Sequence, residues 1–150
     1  MVNARNKGAT GEREFCRWIK DNLGVLGDPE RNLEQVRSGG ADIINVYPFV
    51  FEVKRVEVLD LVAWWIQVKT AWEQLRDMSD VDENAGVDRN LIPVVAFRQN
   101  NQPWEFLIHA GLIGNNLGFL RLNEKTFKEW ALNELAMYGR DGATSMFKGV

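Results

Sequence analysis

The chain has 150 residues, 45% of them apolar and 26% charged, with a formal charge of −3. That length suits one domain with a sizeable core, and the acidic balance excludes a simple basic nucleic-acid coat. It does not exclude an enzyme of nucleic acids, because the charge near a site is what counts. One cysteine, Cys16, rules out an internal disulfide, and one histidine, His109, leaves no Cys/His zinc set. The polar stretch Met1 to Gly11 lacks the apolar segment of a signal peptide. The longest apolar run, Leu61 to Ile66, is far too short to cross a membrane. These features predict a soluble cytoplasmic protein forming a single domain over residues 1–150.

In chain order, the first predicted helix runs from about Thr10, as N-cap, to Leu23, with Gly24 ending it. Phe15, Cys16, Ile19 and Leu23 share its inner face, and Glu12 lies at the edge of that face. Glu12 reads either as a first-turn acid that favours the helix N-terminus or as a carboxylate near a metal. Asp28-Pro29 marks a turn, and a short strand is expected around Leu33 to Arg37. Two strands follow, Asp42 to Val46 and Phe49 to Val56, joined through the turn signal Tyr47-Pro48. Asp60 then caps a long helix to about Met78. Its stripe of Leu61, Trp64, Trp65, Val68, Ala71, Trp72 and Leu75 suits a core or a subunit interface better than a base-stacking platform. Asp77 to Asn90 lacks periodicity and reads as a mobile acidic loop. Leu91 to Arg98 is a buried strand, with Pro93 suggesting an edge or irregular position. Trp104 to Ile108 returns beside it, and Phe119 to Leu122 is a short strand. Asn123 caps a last helix from about Glu124 to Tyr138, with Phe127, Trp130, Ala131 and Leu135 facing inward. The tail after Gly139 is expected to be loose, and His109 is assigned no role.

The chemistry concentrates in Gly39-Gly40-Ala41-Asp42 and, ten positions after Asp42, in Glu52-Val53-Lys54. Side chains alternate along a strand, so Glu52 and Lys54 share one face while Phe51 and Val53 enter a core. A hairpin between the two runs sets Asp42 beside Glu52. Two neighbouring carboxylates suit magnesium, which takes one or two of them and otherwise keeps its waters. A lysine beside such an ion can stabilise charge on a phosphate or help position a water. A solvated strand would carry the same letters, so the reading rests on the company these residues keep.

That company is Lys7-Gly8 and Gly11-Glu12 opening the first helix, Gly39-Gly40-Ala41-Asp42 and Glu52-Val53-Lys54 on successive strands, and Trp64-Trp65-Ile66-Gln67 on the next helix. In this order the chain resembles the PD-(D/E)xK nuclease superfamily, and more narrowly small Holliday-junction resolvases and their phage relatives. The resemblance covers about residues 5–110, with 111–150 as a C-terminal helical extension. It implies an α/β fold with a restriction-endonuclease-like core: a mixed central β-sheet flanked by helices. It also implies a Mg2+-dependent, structure-selective DNA endonuclease in which Mn2+ can substitute, acting in a bacterial or phage-infected cell. By position, Asp42 and Glu52 would bind the metal, with the Val53 carbonyl as a third ligand. Glu12 would complete the metal shell, Lys54 would orient or activate the water, and Gln67 would hold the site or touch the phosphate. Ala41 stands where the superfamily has its namesake proline.

Arg5, Lys7, Arg13, Arg17 and Lys20, less Glu12 and Glu14, give the first twenty residues a charge of +3. With Arg37 and Arg55 they form a candidate DNA-binding patch of the kind that positions a backbone without reading sequence. The resemblance further implies branched DNA as substrate and a symmetric homodimer, with the tryptophan helix as one candidate dimer surface. The alternatives are a general nicking or repair nuclease and a nuclease-like fold that only binds DNA or a partner.

Overall fold

The computed structural model describes residues 4–33, 41–80, 91–112 and 118–148. Helix α1 spans Ala4–Asn22, a 3-10 turn spans Gly24–Leu26, and strands β1 (Glu30–Arg31) and β2 (Ile43–Ile44) pair antiparallel. Strand β3 (Phe49–Arg55) leads through α2 (Leu61–Asp80) to β4 (Ile92–Arg98), which runs parallel to it. Strands β5 (Glu105–His109) and β6 (Phe119–Asn123) add antiparallel, and α3 (Glu124–Lys148) closes the order. The result is an α/β fold with a mixed four-stranded sheet, ordered β3-β4-β5-β6, flanked by helices. No helix among the described residues is long and apolar enough to cross a membrane.

The sheet has two unlike faces because β3 alternates. Phe49, Phe51 and Val53 pack with Phe15, Trp18 and Ile19 of α1, Phe106 of β5 and Phe127 of α3. The rings of Phe106 and Phe127 stack at 3.8 Å between centroids, and Phe15 meets Phe51 edge-on at 4.9 Å. Val50 faces the other way and packs with Ala71 of α2, so Glu52 and Lys54 share the α2 face. Trp64, Trp65 and Val68 of α2 cover Val95, Phe97 and Leu107 on that same face. The tryptophans are therefore core, and the solvent side of α2 shows Val62 and Ile66 instead.

Several boundaries differ from the sequence reading. Helix α1 starts at Ala4, not Thr10, which lies inside it. Gly11, one of the glycines at the expected helix opening, has another role: a Cβ on it would sit 2.6 Å from Arg55 Cβ, so this residue lets α1 lie directly on β3. Pro93 lies in a strand with neighbours on both sides, not on an edge. Ile92 N–H points to β3, donating to Pro48 O, so the nitrogen of Pro93 points to the β5 side. The β4–β5 ladder begins only at Val94, so no ladder bond is lost there. Residues 77–80 are helical, and 81–90 of the expected acidic loop lie outside the described residues. The expected strand at 33–37 also falls mostly outside them, and Leu33 is in a turn. Helix α3 continues past Gly139 to Lys148, where a loose tail was expected. Both side-chain caps are present: Asp60 Oδ1 accepts from Ala63 N–H at 3.2 Å, and Asn123 Oδ1 from Thr126 N–H at 2.8 Å.

Candidate active site

The site forms on the edge of β3 that β4 does not use. Asp42 N–H donates to Phe51 O at 2.9 Å, and Val53 N–H donates to Asp42 Oδ2 at 2.7 Å. The Asp42 carbonyl accepts from Asn32 N–H at 2.8 Å, and Asn32 Nδ2 donates to Ala41 O at 2.9 Å. Both sides of the Asp42 backbone and its carboxylate are thus fixed. The turn at Tyr47-Pro48, closed by Phe49 N–H on Val46 O, returns the chain from β2 to β3. The expected full hairpin is reduced: β2 has two residues and finds its ladder partner in β1, while Asp42 itself makes the link to β3.

Glu52 is 2% exposed and Asp42 5% exposed, so two acids share a buried position. Lys54 Nζ lies 3.2 Å from Glu52 Oε1. Burial, then the adjacent Asp42 carboxylate, pushes the Glu52 carboxyl up to about 7, and the Lys54 ammonium offsets only part of this. In a strand the N–H and C=O of one residue face the same way. The Val53 carbonyl therefore opens onto the same edge as Asp42. Two carboxylates and a carbonyl are hard oxygen donors and fit a magnesium-like ion. Among the described residues no three His, Cys, Asp or Glu side chains gather into a larger acidic cage.

The remaining expected residues make other contacts. Glu12 accepts from Arg31 Nε at 2.7 Å, beside β1 and on the α1 layer, whereas Glu52 faces the α2 layer. Gln67 is exposed on α2. It lies one turn before Ala71, about 6 Å along the helix axis. Glu52 lies two residues after Val50, about 6.6 Å along β3. Ala71 and Val50 share one cluster, so α2 passes over the face of β3 that carries Glu52. Lys7 pairs with Glu57 at 3.6 Å and Lys20 with Asp28 at 2.9 Å, while Arg55 engages Glu14 at 3.3 Å. Arg13 and Arg17 are exposed on α1. The Arg5 side chain and all of Arg37, with Gly39-Gly40, lie outside the described residues. Of the described basic residues, Lys7, Lys20 and Arg55 are held in ion pairs and Arg13 and Arg17 are exposed.

Asn32 and Arg31 carry positioning contacts that the sequence reading missed. Strand β1 is two residues long, too short for a periodicity signal, and nothing local marks Asn32 as the clamp on Asp42. Cys16 is half-buried, and burial raises its thiol above the ordinary value, which suits a packing role. Comparison with known protein families, curated proteins and solved structures gives no match.

Proposed function

We propose that this chain is a metal-dependent DNA endonuclease with a restriction-endonuclease-like core. The observation that carries the reading is the Asp42–Glu52–Lys54 constellation on the free edge of β3. A buried acid pair that raises its own proton affinity costs stability, and a cation bound there would offset that cost. Asp42, Glu52 and the Val53 carbonyl would hold the ion, which when bound would supply Lewis-acid charge and a water of lowered pKa. Val53 N–H holds Asp42 in place, and Asn32 holds the backbone behind it. Lys54, with its side chain 22% exposed, is the group of the three that reaches solvent, so its ammonium can meet a phosphate oxygen while still touching Glu52. Gln67, exposed on α2, is free to contact the same strand of substrate.

Four-way junctions are the preferred substrate on this reading, and a dimer would supply two sites for paired cuts. The test is cleavage of a labelled four-way junction beside a linear duplex of the same arms, with Mg2+, for wild type and Lys54→Ala. Paired junction cuts lost in the variant support the full proposal. Equal cutting of both substrates reduces it to a general nuclease. No cleavage with Mg2+ or Mn2+ by folded protein that still binds DNA overturns the enzyme reading in favour of a binding module.

A further inference from the structure

A cleft of about 520 Å3 opens on the other side of α1, between that helix, the β4–β5 turn and the start of α3. Its apolar floor is Trp18, Pro103 and Trp104, and its basic wall is Arg13, Arg17 and Arg98. Helix α1 separates it from the Asp42 edge. Glu12 and Arg31 meet on one flank of the helix, while Arg13 and Arg17 stand on the flank toward Gln102 to Trp104. We infer that this cleft is a second binding site, taking the phosphate group of a nucleotide, either free or within a single strand.

Three observations support this assignment. The volume falls in the range of about 300–1,000 Å3 usual for small-ligand sites. Arg13 and Arg17 are one turn apart, both exposed, and make no ion pair among the described residues. Their basic neighbours Lys7, Lys20, Arg31, Arg55 and Arg98 are all paired. Residues one turn apart share a helix face, so two guanidinium forks can engage one phosphate or two successive ones. The acids in the wall are mostly committed already. Glu14 lies 3.4 Å from Arg98 and 3.3 Å from Arg55, and Glu124 Oε1 accepts the Trp18 indole N–H at 2.6 Å. That hydrogen bond fixes the Trp18 ring, which packs into the core and borders the cleft with only 8% of its surface exposed. Asp21, one turn beyond Arg17, opposes an anion, which gives the proposal a signed test.

The choice of a nucleotide phosphate rests on the nuclease reading, whereas the cleft and its two arginines do not. Binding is therefore measured in EDTA, where no cleavage is required. The probe is a fluorescein-labelled octathymidylate, with thymidine monophosphate and inorganic phosphate as competitors. Arg13→Ala/Arg17→Ala should weaken probe binding at least about tenfold. It should also reduce the slope of log K against log salt by about 1.4, two contacts at about 0.7 each for a single strand. Arg13→Lys/Arg17→Lys keeps the charge, so it should keep the slope and lose affinity a few-fold, about as expected when the fork geometry is removed. Asp21→Asn should tighten binding about twofold by removing a like charge. Competition by the monophosphate identifies a nucleotide pocket, and competition by none but longer strands identifies a strand track. Unchanged binding in the double alanine variant, or an equal loss from Lys69→Ala on the opposite layer, overturns the proposal. A chain that binds through the cleft yet never cleaves DNA leaves this inference standing and removes only the nuclease.

Discussion

Two charged regions lie on opposite layers of the sheet, and they treat carboxylates differently. At the C-terminal ends of β3 and β4, Glu14 meets Arg55 and Arg98, and Glu57 meets Lys7 and Arg55. These groups are partly exposed, so each acid has cations and water. At the free edge of β3, Glu52 and Asp42 are almost fully buried, and Lys54 does not cancel the cost of placing them together. The first region tethers α1 to the sheet. The second is electrostatically expensive, and local stability gives no reason to keep it. A cation bound between the two carboxylates, as proposed, would offset that cost.

The largest expected effect breaks that contrast by removing one charge from the buried pair. Glu52→Gln should lower cleavage about 10²–10³-fold or more, the scale for loss of a group that stabilises transition-state charge. The same change should raise stability at high pH. Glu52 has a folded pKa of about 7 against an ordinary 4.5. Between those values the folded chain holds more protons at this site than the unfolded chain, so stability falls as pH rises and the full cost is present above about 7. The shift corresponds to a cost on the order of 3 kcal/mol. Urea titrations in EDTA at pH 4 and pH 8 should show wild type losing stability along this window, and Glu52→Gln losing far less. An equal pH dependence in both proteins would remove the acid pair as the source of strain. Added Mg2+ should stabilise wild type at pH 8 and leave the variant nearly unmoved.

A smaller effect concerns how α1 is seated. Gly11→Ala gains about 1 kcal/mol of helix propensity. It also drives a Cβ to 2.6 Å from Arg55 Cβ, which no side-chain rotation relieves. Overpacking of this kind costs about 1–3 kcal/mol, so the net change should be a loss. Gly8→Ala on the same helix meets nothing within 4 Å and should gain up to about 1 kcal/mol. Opposite signs in denaturant titrations would confirm that Gly11 serves close packing, and equal signs would refute it.

These particulars show what the sequence could reveal. The apolar and charged alternation of Phe51 to Lys54 and the helical stripe around Trp64 were legible because each residue pattern repeats along its element. The caps Asp60 and Asn123 were legible because their chemistry is local. The start of α1 was not, since a threonine inside a helix carries the same letter as one that caps it, and Thr10 lies inside. Strand β1 was not, since two residues carry no period. Within the site, the adjacency of Asp42 and Glu52 followed from a turn between two apolar runs. The pairing of Glu12 with Arg31 depended on a tertiary contact that no spacing encodes. The basic residues of α1 looked like one patch because linear charge counts ignore which acids fold beside them.

The smallest effect belongs to the partly exposed network. Glu14→Gln removes the acid shared by Arg55 and Arg98, yet Arg55 keeps Glu57 at 3.9 Å and the side-chain carbonyl of Asn100. Arg98 Nε still donates to Gln102 O at 2.7 Å. Neither guanidinium is left stranded, and water reaches both. The loss should therefore stay within about 1 kcal/mol, the range for exposed ion pairs. It should shrink further in about 1 M salt, where the screening length falls to about 3 Å. Denaturant titrations at low and high salt measure it. A loss of several kcal/mol that persists in salt would mean that the network is as dry as the β3 edge, and the contrast between the two regions would fail. A small, screened loss beside a large, pH-dependent gain at Glu52 would place the molecule's costly electrostatics at the candidate active site alone.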